Sequence, residues 1–167
     1  MRSTWYRGEI TSLLLLAVCL ALLGGCGSLP PSSATHHHST AVEVRGERAQ
    51  LLRVAANQIG TPYRYGGNSR RGFDCSGLVQ YAHQRVGIDV PRTTRQQWAH
   101  ARTPRREHLV PGDLVFFSFG WNKGRHVGIY EGNGVFIHAP SSGKRVSRAS
   151  LDNPFWQRRL IGAKSFL

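Results

Sequence analysis

The chain predicts an α+β fold, because its apolar periodicity changes once and does not change back. Up to about Ala101 the apolar residues recur at helical spacing. From Leu114 onward they come in short runs separated by turn residues, the pattern of strands. Glu131-Gly132-Asn133-Gly134 between two such runs is a hairpin signal, and helices followed by hairpins give antiparallel strands rather than a parallel sheet. No internal repeat is visible, and 167 residues suffice for one domain.

The first residues do not read as fold. Arg2 and Arg7 precede an apolar run over 13–23, and Gly24-Gly25-Cys26 follows. A positive head, about ten apolar residues and small residues before a break have the form of a secretory signal peptide over 1–25. The run is shorter than the ~20 residues of a membrane span. Leu23-Gly24-Gly25-Cys26 resembles a bacterial lipobox, which implies that Cys26 is lipidated and becomes the mature N-terminus. Residues 26–41 then read as a flexible tether rich in Ser, Pro and Thr. His36-His37-His38 lies inside it as a polar tract without the fixed ligand geometry of a metal site. The folded domain is expected over 42–167.

Within that domain, residues 44–59 carry Leu51, Leu52, Val54, Ala55 and Ala56, a helix with a broad apolar face that Gly60 ends. Residues 61–67 hold Pro62 and two glycines and form a loop. Asp74 can cap a second helix, in which Leu78, Val79, Ala82 and Val86 recur and which Gly87 stops. A short helix over 94–101 follows, with Trp98 turned inward. Strands are expected over 114–117, 126–130, 135–138, 144–146 and 160–166.

Cys75 falls just inside the second helix, where the partial positive charge of the N-terminus favours the nucleophilic thiolate. A lone cysteine is more often a small buried hydrophobe, so its partners decide. Cys19 leaves with the signal peptide and Cys26 carries lipid, so Cys75 is the single mature thiol and cannot form an internal disulfide. In an oxidising compartment, use explains such a thiol better than neglect.

A cysteine nucleophile needs a base, commonly His, and a third group that orients the base. His83 sits too far along the same helix, ~12 Å at 1.5 Å per residue. His100 and His108 lie in polar, Arg-rich connections. His126 and His138 flank the hairpin tip at nearly equal distances, where cross-strand Cβ atoms are ~4.5–5.5 Å apart. A plain two-residue loop at Gly132-Asn133 puts them on opposite faces, so a Cys-His-His site requires an odd-numbered loop or a bulge. Gly134 suits a three-residue loop with a bulge.

Five segments carry a resemblance: Gly60-Thr61-Pro62-Tyr63 with Gly66-Gly67, Asp74-Cys75-Ser76-Gly77, Pro111-Gly112-Asp113-Leu114, His126-Val127-Gly128-Ile129-Tyr130 and Ile137-His138-Ala139. In this order and spacing the chain resembles the NlpC-type cell-wall cysteine peptidases, among them lipid-anchored murein endopeptidases. The resemblance implies a reduced papain-like fold, with the nucleophile helix packed on an antiparallel sheet. It also implies Cys75 as nucleophile, His126 as general base, His138 as orienting residue and Tyr63 with the Cys75 amide as oxyanion donors. Asp74 and Ser76 are implied substrate contacts, and Arg92 could pair with a substrate carboxylate. No metal or organic cofactor is implied.

The chain has 22 Lys and Arg against 9 Asp and Glu, a formal net charge of +13. In the cytosol that balance would suggest nucleic acid, but an exported, lipid-anchored chain points to anionic envelope polymers and not to nucleic acid. The expected activity is hydrolysis of an amide bond in peptidoglycan stem peptides or cross-links. The alternatives are an acyltransferase on the same fold and a non-catalytic peptidoglycan-binding or scaffolding lipoprotein. Gly27 rather than Asp after the lipidated cysteine points to the outer membrane, with the domain facing the periplasm. The sequence identifies no adaptor or regulatory protease.

Overall fold

A computed structural model describes residues 36–105, 107–120 and 124–167, with side chains from residue 43 onward. The expected signal peptide, Cys26 and the tether up to residue 35 lie outside the described residues. Helix α1 runs over His36–Ala56. It starts well before the expected residue 44, so the three histidines are helical and not a linker tract. Between His36 and Arg45 the sequence holds neither proline nor glycine to stop a helix. The helix ends at Ala56 in a tight turn, where the Ile59 amide donates to the Ala56 carbonyl at 3.1 Å and Gly60 takes φ +90°.

A small hairpin of β1 (Asn68–Ser69) and β2 (Gly72–Phe73), absent from the sequence expectation, delivers the chain to α2 (Cys75–Gln84), and α3 (Thr94–His100) follows. The rest is a five-stranded sheet in the order β6-β5-β4-β3-β7. Its strands are β3 (Leu114–Ser118), β4 (Arg125–Gly132), β5 (Val135–His138), β6 (Ser147–Ser150) and β7 (Leu160–Lys164), and every pairing is antiparallel. The one-turn helix α4 (Pro154–Gln157) precedes β7.

One expected strand is displaced. Residues 144–146 give their backbone bonds to the loop after α1: the Tyr63 amide donates to Lys144 O at 2.8 Å and the Val146 amide to Thr61 O at 2.8 Å. The sheet strand is the following Ser147–Ser150, which pairs with β5. Its polar residues lack the apolar run by which a strand is read from sequence.

Apolar residues on both sheet faces follow from the pleat of β3, where alternate side chains point to opposite sides. Leu114 and Phe116, with Val127, Ile129 and Ile137, pack against Leu51 and Ala55 of α1 and Leu78, Val79 and Ala82 of α2. Val115 and Phe117 instead join Phe136, Tyr130 and Trp156 in a second cluster on the other side. The helix-side core fixes α2 across β4, which sets where the thiol lies.

Candidate active site

The mouth of α2 is built from Asp74. Its backbone is extended (φ −91°, ψ 175°), and its Oδ1 accepts the Gly77 amide at 2.7 Å, capping the helix. Oδ2 accepts the Gly66 amide at 3.0 Å, tying the cap to the preceding loop. Gly77 is required here because a Cβ at that position would collide with the Gly67 carbonyl oxygen. Arg92 grips the same carboxylate with both nitrogens, Nη1 to Oδ1 at 2.9 Å and Nη2 to Oδ2 at 2.6 Å, and also donates to Ser76 Oγ at 3.0 Å. Asp74, Ser76 and Arg92, three residues expected at the substrate, therefore form one bonded unit beside Cys75.

Cys75 is partly buried, and its Sγ lies 3.6 Å from Thr94 Oγ1. Thr94 opens α3, which is held by the reciprocal Thr93–Gln96 capping box. Buried Gln97 of the same helix donates from Nε2 to Ser76 O at 2.9 Å and to Pro91 O at 2.8 Å. The segment from Pro91 to Gln97 thus clasps the Cys75 turn from outside, which sequence reasoning missed. A capping box is legible in sequence, but not the neighbour that its helix touches.

His126 and His138 do meet. Nε2 of His126 lies 2.8 Å from Nδ1 of His138, with both side chains buried. The parity requirement is met differently from the expected three-residue loop. Asn133 (φ 50°) and Gly134 (φ 73°) form a two-residue turn between Gly132 and Val135, and a bulge follows at Glu131. From Tyr130↔Phe136 onward the register sets His138 opposite Gly128, so His126 is its diagonal neighbour on the same face. Trp156, another residue the sequence did not single out, stacks on His126 at 5.5 Å and 27° and meets His138 edge-on at 5.0 Å.

The electrostatics describe a neutral resting pair. Burial lowers His126 to about 3, helped by His138, and burial lowers His138 to about 4, helped by the Lys144 charge. Burial pushes the Cys75 thiol up, and the Asp74 charge adds to this. Hydrogen bonds from Thr94 and from the Val127 and Ser76 backbone pull the other way. Desolvation therefore outweighs the helix N-terminus, which the sequence suggested would favour the thiolate. The Val127 bond sets the thiol at the residue next to His126 on β4; among the described residues no hydrogen bond joins Cys75 to either imidazole. Tyr63 is half-buried, and its phenol is pushed up by burial and then by the Cys75 and Asp74 charges. It therefore stays an O–H donor near the sulfur. Among the described residues no three His, Cys, Asp or Glu side chains converge as a metal site requires.

Residues 60–165 match the NlpC/P60 family. The chain belongs to that family. The probable endopeptidase NlpC of Escherichia coli K12 is 43% identical over 154 residues, covering 90% of this chain and 96% of its own. The murein DD-endopeptidase MepH of the same organism is 48% identical over 125 residues, covering 69% of this chain and 46% of its own. The chain thus spans nearly all of one relative and under half of the other. A crystal structure of an NlpC/P60 family protein from Bacillus cereus ATCC 10987 superposes with a TM-score of 0.66 at 34% identity, over 72% of this chain and 40% of that one. These likenesses bear out both the α+β fold and the family resemblance read from the five segments. The NlpC/P60 match begins after α1, at the loop that carries Tyr63.

Proposed function

We propose that this NlpC/P60 chain is a cell-envelope cysteine peptidase that hydrolyses an amide bond in peptidoglycan stem peptides or cross-links. The observation that carries the reading is the buried His126–His138 pair at 2.8 Å, with His126 on the strand whose next residue, Val127, lies beside the thiol at the mouth of a capped helix. As Cys75 Sγ attacks the scissile carbonyl, its proton passes to His126 Nδ1, the nitrogen left free when Nε2 bonds His138. The carbonyl oxygen becomes an oxyanion that accepts from the Tyr63 hydroxyl and from the Cys75 amide, one of the unpaired N–H groups of a first helical turn. Collapse expels the amine, which takes the proton from His126, and leaves a thioester. Water then attacks the thioester while His126 accepts its proton, and the thiol is restored. A neutral thiol and a neutral base suit this route, since no charge need be stored before the substrate arrives. Asp74, Ser76 and Arg92 contact the substrate as one preassembled group in this reading. Cys26 carries the lipid that anchors the domain to the membrane, in a Gram-negative host the outer membrane.

The test is digestion of purified sacculi by the wild type and by Cys75→Ala, with released fragments identified by mass spectrometry. Fragments from the wild type alone are expected, and their masses name the bond. Equal release by both, or by neither, overturns the reading; binding without release favours a scaffold.

A further inference from the structure

A cleft of about 1140 Å³ opens along Thr94, the residue whose hydroxyl touches the Cys75 sulfur. Its lining includes two charged residues, Arg95 and Arg125, and no carboxylate among the described residues. Neither guanidinium is in an ion pair among the described residues, and the site's own carboxylate, Asp74, is already held by both nitrogens of Arg92. Arg125 directly precedes His126 on β4, and its Cζ lies 5.4 Å over the ring of Trp98. That ring is fixed edge-on to Phe116 at 5.2 Å, deep in the helix-side core. The stacking therefore preorganises Arg125, so little side-chain entropy is lost when it binds. Lys164 Nζ sits 4.7 Å from the same indole, which keeps two like charges within about a Debye length of each other. Uncompensated cations gathered beside a cleft are a repulsive arrangement that an anionic ligand relieves.

We propose that Arg125, assisted by Arg95, is the carboxylate-reading subsite of this cleft, so that the enzyme selects peptides with a free carboxylate next to the scissile bond over the same peptides amidated. The proposal rests on the hydrolase reading for its substrate class, and stem peptides with free carboxylates fit it. A planar guanidinium can take a carboxylate through two parallel N–H···O bonds, and an amide offers only one acceptor and no charge.

Binding tests it without turnover. Cys75→Ala protein is titrated by calorimetry with a synthetic stem peptide carrying its carboxylates and with the fully amidated peptide. The carboxylate form is expected to bind about tenfold or more tightly, with an advantage that shrinks as salt is raised. Adding Arg125→Gln and Arg95→Gln should bring the two peptides to within about twofold, whereas Arg125→Lys should recover only part of the preference. Equal binding of both peptides, or a preference that survives the double replacement, overturns the subsite. Parallel digests of the two peptides with active enzyme separate the two readings. Carboxylate-dependent binding without cleavage defeats the hydrolase and keeps the subsite; cleavage indifferent to amidation does the reverse.

Discussion

Cys75 and its histidines depend on burial, and burial gives them a pH signature. His83, His126 and His138 are held neutral at about 4, 3 and 4, against the ordinary 6.5 of an unfolded chain. Between those values the unfolded chain binds more protons than the folded one. Stability is therefore fully present above about pH 6.5 and is lost as the pH falls toward 4. His83 allows this to be measured away from the chemistry. Its ring is completely buried, Nδ1 lies 2.8 Å from Val79 O, and Nε2 has no partner. His83→Leu should flatten the loss of stability between pH 7 and 4.5 by on the order of 1–3 kcal/mol, read from urea midpoints at the two values. An undiminished loss would show that other groups take up the protons. At this scale the sequence named the candidate reactive groups. It could not supply their protonation, because desolvation depends on which side chains close over a ring.

The hairpin decides the site at the scale of the element. Glu131 is the extra residue between the pairs Tyr130↔Phe136 and Gly132↔Val135, so deleting it makes these pairs adjacent and leaves the register of His126 and His138 unchanged. His138 and Phe136 keep their face, and His126 stays where its pairing with Phe117 holds it. Deletion of Glu131 should therefore retain cleavage of sacculi and change the melting temperature little, since what it removes is the bulge and the exposed Arg148–Glu131 ion pair. Lost activity in a deletion that still folds would mean that the bulge itself shapes the site. The hairpin and its glycines were legible in the sequence, and so was the need for an odd residue. Whether the loop or a bulge absorbs that residue was not legible, since both give the same parity. For a similar reason the strand at Ser147–Ser150 escaped notice: its pairing comes from the edge of β5 and not from apolar content of its own.

Across the whole molecule, Arg48 of α1 joins three distant parts of the chain. Nη1 donates to Pro111 O at 3.0 Å and Asp113 Oδ1 at 3.1 Å, and Nη2 donates to Ser165 Oγ and Leu167 O, each at 3.1 Å. Asp113 is fully buried and also accepts the Val110 amide at 3.0 Å, so the clasp fixes the turn that starts β3 and the residues after β7 against one helix. Arg48→Met keeps much of the stem but removes four hydrogen bonds, one of them from a cation to a buried carboxylate. It should cost about 2 kcal/mol in chemical denaturation, the scale of lost charge-assisted hydrogen bonds, while Arg48→Lys should recover part of that. A loss below about 1 kcal/mol would assign the clasp a minor role.

By itself the sequence determined the fold class, the family and the candidate side chains for the proposed chemistry. These are set by local periodicity, capping and five short segments. Only the tertiary structure decided that the thiol rests against Thr94, that Trp156 covers the histidines and that Arg92 is bound to Asp74. It also set the neutral state of the pair. Each of these depends on contacts between residues far apart in the chain, where geometry and exclusion of water, rather than residue type, fix the energy of a charge.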